Sequence, residues 1–186
     1  MVEVQVENIV VSFTISSSLD LPKLAEILPD AKYNPDEVPV IVLHFSKPRA
    51  MATLSATGNV VMTGLKSMDE VHDVVKMVTD RLDVVTVQCN KTPEIMIKNV
   101  TMSTDLKQSL KLRRLARSLQ TVEFTPNVFP GLIYKGENPN TVILLFDSGK
   151  IVCNGNSLED VTVALNTILE KLSSFGIKKE ENVCQK

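Results

Sequence analysis

Few residues of this chain have the types and spacing that make or break bonds. Its histidines, His44 and His72, belong to no Ser, His and Asp arrangement, and neither lies near a plausible nucleophile. Cys89, Cys153 and Cys184 are odd in number and scattered, with no second Cys or nearby His to complete a zinc site or a disulfide. Free thiols are expected. Gly149-Lys150 lacks the earlier Gly and the following Ser or Thr of a phosphate loop. The sequence therefore predicts no enzyme, no metal and no cofactor, and leaves recognition rather than catalysis as the chemistry to explain.

The residues that remain come in pairs at one spacing. Asn8 answers to Asn99 (99 − 8 = 91), Leu24 and Ala25 to Leu115 and Ala116, Leu28 to Leu119, and Pro35, Pro39 and Pro48 to Pro126, Pro130 and Pro139. Gly58, Val61, Gly64 and Asp69 answer likewise to Gly149, Val152, Gly155 and Asp160, with no insertion in the register. Pro and Gly mark positions where the backbone is constrained, so their repetition means a repeated supersecondary unit. The halves divide at about 1–90 and 91–186, the second with a short tail from about residue 177. Two copies predict a closed pseudo-dimer rather than a solenoid.

At 186 residues, with 44% hydrophobic and 23% charged, the chain has ordinary globular composition. No stretch approaches the roughly 20 apolar residues of a membrane span. The start, MVEVQVENIV, has neither the basic end nor the apolar run of a signal peptide, so a cytoplasmic protein is expected. Net charge is only −2, but Lys107, Lys111, Arg113, Arg114 and Arg117 crowd one segment, whereas its counterpart from Ser16 to Asp30 carries one Lys against three acids.

Each repeat reads as a strand, a helix, several short strands and a longer helix. In the first, Gln5–Ile15 is β-branched, Leu19–Leu28 has helical spacing, and Val40–Phe45, Met51–Leu54 and Val60–Thr63 are short strands. Ser67 caps a helix to about Leu82, with Glu70 completing a capping box; Ser157 caps its partner to about Leu172. Period two places Ile9, Val11, Phe13 and Ile15 on one face and Asn8, Val10 and Ser12 on the other. Val142, Leu144 and Phe146 oppose Ile143 and Leu145 in the same way. Both faces are apolar, yet two helices per repeat cover one, so the other is a greasy surface awaiting a partner.

The motif VFPGLIYKGENPNTVILLFDSGKIVCNG, residues 128–155, and its weaker copy VPVIVLHFSKPRAMATLSATGNVVMTG, residues 38–64, resemble the TATA-box-binding proteins in their archaeal, core-only form. The resemblance covers about Glu7–Leu172. It implies an α+β saddle: a curved antiparallel sheet of about ten strands with two helices per repeat on the convex face. It implies promoter DNA as partner, followed by transcription factor B and RNA polymerase, nucleoid association, and a monomer or weak homodimer.

On this resemblance Asn8 and Asn99 are the central amides, and Val10, Val61, Thr63, Thr101, Val142, Leu144 and Val152 lie at the apolar contact positions. Phe129 and Phe146 match a wedge pair, while Arg49, Lys135, Lys150 and Ser148 stand where phosphate contacts belong. Thr125, Asn127 and Val128 occupy the loop that meets transcription factor B, and Lys111 and Arg114 a further partner surface. The sequence also departs from the pattern, in the first repeat above all. Val38 and Ser55 replace two phenylalanines, and Thr53, Thr101, Asn154, Asn59, Asn140 and His44 replace other family residues. A divergent paralogue acting as a protein-interaction module with one-sided DNA bending is the alternative, and a small-molecule binder the third reading.

Overall fold

The computed structural model describes residues 3–84, 89–136 and 140–177. Cys184, Pro139 and the tail beyond 177 lie outside them. Ten strands and four helices occur among the described residues: β1 (Val4–Thr14), α1 (Leu21–Ile27), β2 (Lys32–Asn34), β3 (Val38–Ser46), β4 (Arg49–Ser55), β5 (Asn59–Leu65) and α2 (Met68–Val84) come first. The same succession then returns as β6 (Met96–Asp105), α3 (Leu112–Ser118), β7 (Val122–Glu123), β8 (Leu132–Tyr134), β9 (Thr141–Leu145), β10 (Lys150–Gly155) and α4 (Leu158–Ser174). Among these helices none is long and apolar enough to cross a membrane.

Two compact units result, one of residues 8–98 and one of residues 1–7 with 99–186. Hydrogen-bonded strand order is β2-β3-β4-β5-β1 in the first and β6-β10-β9-β8-β7 in the second, all antiparallel. In the first unit Ile41, Leu43, Ala52, Leu54, Val60 and Met62 are buried while their neighbours alternate outward, as period two requires. Val71, Val74, Val75, Val78 and Leu82 of α2 are buried at helical spacing, and α2 packs on β5. In the second unit α4 packs on β9 and β10 through Val161, Ala164, Leu165, Ile168 and Leu172.

Those two lists correct the repeat. Each α4 residue lies ninety places after its α2 counterpart (161 − 71 = 90, 172 − 82 = 90), not ninety-one, so one residue is missing between β10 and α4. The caps agree: Ser67 Oγ accepts the Glu70 N–H at 3.1 Å, and Ser157 Oγ the Asp160 N–H at 3.0 Å. Asp69 and Asp160 are therefore not structural equivalents. The capping box is also displaced, since the Glu70 carboxylate accepts from the Lys66 N–H at 2.7 Å, one residue before the cap.

The turn glycines keep the ninety-one spacing. Gly58 and Gly149 have φ of +74° and +94°, and a Cβ on either would collide with the carbonyl oxygen of Ser16 or Gln108. Two further corrections concern polarity and the basic segment. Ser12, expected on the open face, is only 4% exposed. The basic helix starts at Leu112, so Lys107 precedes it, in a turn with φ 54°.

Candidate nucleic-acid interface

In the first unit the open face is built from alternate residues of three strands. Pairing of His44 with Met51, Val42 with Thr53 and Val40 with Ser55, then Met51 with Thr63 and Thr53 with Val61, puts these side chains on one side. Arg49 joins them, exposed, at the start of β4. Asn8 and Val10 border them, half-buried, on the side of β1 opposite Ile9 and Val11, and the register shift between Ile9 and Val11 places an extra residue in β5 between Met62 and Leu65. Asn8 Oδ1 accepts the Gly64 N–H at 2.7 Å and the Thr63 hydroxyl at 3.2 Å. With that oxygen engaged, the amide N–H groups are the end that can donate outward.

The second unit has the corresponding face, and it is greasier. Val152 pairs with Leu144 and Leu144 with Ile133; Val142, 36% exposed, pairs with Asn154. Asn99 and Thr101 continue it on β6, where Thr101 pairs with Asn154. The Thr101 hydroxyl lies 2.7 Å from Asn154 Oδ1 and 3.4 Å from Asn99 Oδ1. Its one proton goes to the nearer acceptor, leaving the Asn154 amide to donate. Asn154 is thus a functional candidate that sequence reasoning registered only as a departure from pattern. Its signal was an amide in a strand position otherwise facing the open side.

Phe129 and Phe146 meet edge to face, with ring centroids 5.9 Å apart and planes at 65°. Gly131 makes the room: a Cβ there would lie 2.7 Å from the Phe129 ring and 3.1 Å from that of Phe146. Both rings are half-buried, and α4 covers other residues, its Val163, Ala164 and Thr167 facing Tyr134, Thr141 and Ile143. Ninety-one places earlier stand Val38, 56% exposed, with Val40 and Ser55. The first unit thus has neither the rings nor the glycine that seats them.

The charged candidates ring these faces. Lys150 is exposed on the same side of β10 as Val152, and its N–H donates to Ser148 Oγ at 3.3 Å. Lys135 ion-pairs with Glu123 at 2.6 Å, both more than half exposed, so a phosphate would displace a weak partner. Lys107 donates to Asp105 through its ammonium and its backbone N–H, and these bonds hold the Asp105 carboxyl below the usual carboxylate range. Thr125, Asn127 and Val128 form a turn in which the Thr125 carbonyl accepts from Val128 and Phe129, with Val128 86% exposed. Lys111 and Arg114 are exposed at the start of α3, beside Ser109, Ser118 and Phe175.

Comparison with known proteins agrees with this geometry. The family described as "Transcription factor TFIID (or TATA-binding protein, TBP)" matches residues 3–84 and 94–175, once per repeat. The TATA-box-binding protein of Thermococcus sibiricus is 40% identical over 181 residues, covering 97% of this chain and 98% of the relative. TATA-box-binding protein 2 of Haloferax volcanii is 39% identical over 177 residues, 94% of this chain and 95% of that one. Among solved structures the TBP of Methanococcus jannaschii superposes with a TM-score of 0.84 at 34% identity, covering 92% of this chain and 99% of the other.

Proposed function

Because this chain belongs to the TATA-binding protein family, we propose that it is a transcription initiation factor that binds A·T-rich promoter DNA through the minor groove. One observation carries the reading: each repeat has an apolar strand face opposite its helices, bordered by an Asn whose amide can donate. Asn8 supplies it in the first repeat and Asn154 in the second, with Asn99 beside it. The minor groove of A·T pairs offers only acceptors, and G·C adds an amino donor. The second-repeat face of Val142, Leu144 and Val152, with a few outward amides, selects A·T by leaving guanine's donor unpaired, and Val61 stands at the position of Val152 on the first-repeat face.

Val10, Thr63 and Thr101 complete that surface, and Arg49, Lys135, Lys150 and Ser148 meet phosphates along its margins. Phe129 and Phe146 press between base pairs at the second-repeat end, part the stack and bend the duplex. Thr125, Asn127 and Val128 then receive transcription factor B, with Lys111 and Arg114 a second partner surface, and RNA polymerase follows. Gel shifts with TATA-bearing and scrambled duplexes test the reading. The expected outcome is a preference of about a thousandfold or more for the TATA duplex.

Equal affinity for the two duplexes overturns it. That outcome would favour the second reading, a paralogue working mainly as a protein-interaction module, for which the loss of aromatic side chains at Val38 and Ser55 is the specific support.

A further inference from the structure

We infer that the first-repeat strand face accepts G·C pairs where Thr53 and Ser55 stand, while their second-repeat counterparts Leu144 and Phe146 admit only A·T, an asymmetry that rests on the minor-groove reading above. Guanine's amino group is the one feature that distinguishes G·C from A·T in that groove. Against Leu144, Phe146 and Val152 the amino group is buried without an acceptor, the costly outcome for a polar group.

Ninety-one places earlier the same positions hold Thr53, Ser55 and Val61, and here the chemistry is reversed. Thr53 Oγ1 donates to the Val61 carbonyl at 3.3 Å, and Ser55 Oγ donates to the Asn59 carbonyl at 3.2 Å while lying 2.8 Å from Thr57 Oγ1. A hydroxyl has one proton and two lone pairs. Thr53's proton is committed to the backbone and Ser55's to the Asn59 carbonyl or the Thr57 hydroxyl, so each oxygen keeps a lone pair to offer the groove and no proton. An outward acceptor is useless toward A·T, whose edges are acceptors too, and is what a guanine amino group requires. Val40, in place of the glycine, and Val38, in place of a ring, leave no aromatic plate there to fill the space above these oxygens.

Fluorescence anisotropy with the full chain tests this on three duplexes: an all-A·T site, the same site with one G·C pair in one half, and the site with one in each half. The protein can reverse on a near-symmetric site, so the one-sided duplex always lets the first repeat take the substituted half. One-sided substitution is expected to cost less than about threefold and two-sided substitution about five- to a hundredfold. Inosine, which lacks the amino group, should restore binding in the two-sided duplex. In the double variant Thr53→Val, Ser55→Ala the ratio of all-A·T to one-sided affinity should rise to the two-sided value, and Thr53→Ser, which keeps the hydroxyl, should hold the wild-type ratio.

A wild-type protein that loses the full amount on one-sided substitution, or a double variant whose ratio does not move, overturns the inference. Failure of the wild type to separate the all-A·T duplex from a G·C-rich duplex of equal length overturns the promoter reading itself, so the two failures are distinguishable.

Discussion

On the proposed minor-groove reading, Phe129 and Lys150 divide the work of recognition in ways that mutation separates. Phe129→Ala removes a ring held edge to face on Phe146 and so deletes the wedge without touching charge. Binding to TATA duplexes should weaken by about 1–3 kcal/mol, the order of an aromatic–base contact, with little change on random DNA. Lys150→Ala should weaken both duplexes alike and flatten the dependence of log K on log salt by about one unit. Equal losses of specificity from the two changes would refute the roles assigned here. Cys153 offers a test of the core instead. Burial pushes its thiol up to about 12 from 9.0. An acid whose folded-state pKa is raised contributes stability that is intact below its unfolded pKa and lost as pH climbs from about 9 toward 12. Cys153→Val should therefore remove an alkaline loss of about 1.4 kcal/mol between pH 8 and pH 10, measured as the difference in urea midpoints multiplied by m.

At the scale of elements, the long helices depend on single hydroxyl caps. Ser157 accepts the Asp160 N–H from an extended backbone, so Ser157→Ala should cost about 1 kcal/mol and lower the melting temperature by about 2–4 °C. An unchanged melting temperature would mean that packing alone fixes the start of α4. The strands and caps were legible in the sequence because period two, helical spacing and positive-φ glycines each leave local marks, as at Val142–Leu145, Val71–Leu82 and Gly58. What escaped was whatever depends on neighbours remote in the chain. Strands β2, β7 and β8 span three, two and three residues, too few to show a period, and exist because β3, β8 and β9 respectively offer them partners. The lost residue before α4 was masked by a chance identity, Asp69 with Asp160, and surfaces only when the buried faces of the two helices are compared. Ser12, placed on the open face by period two, is 4% exposed, and its counterpart Ser103, 5% exposed, donates to the Glu7 carboxylate. Asn154 needed Thr101, fifty-three residues away, to show which end of its amide is free to point outward.

For the whole molecule, duplication supplies two faces and divergence makes them unequal. The second repeat has a ring pair together with Gly131, the residue that seats it, whereas the first has Val38, Val40 and Ser55 at the three corresponding positions. Because ring and seat changed together, the first-repeat half is a consistent alternative surface rather than a damaged copy. It can press on a base step but has no plate to insert, and parting a stacked step takes an inserted side chain. DNA bound by this protein should therefore be kinked sharply at one end and curved gently at the other, with a smaller total bend than a doubly wedged complex. Fluorescence energy transfer between dyes placed at each end and the centre of a TATA duplex measures the two half-angles separately. The triple variant Val38→Phe, Val40→Gly, Ser55→Phe rebuilds the missing pair and its seat, so it should sharpen the shallow end toward the angle of the other. Two equal kinks in the wild-type complex would show that the aromatic pair is not what sets the bend.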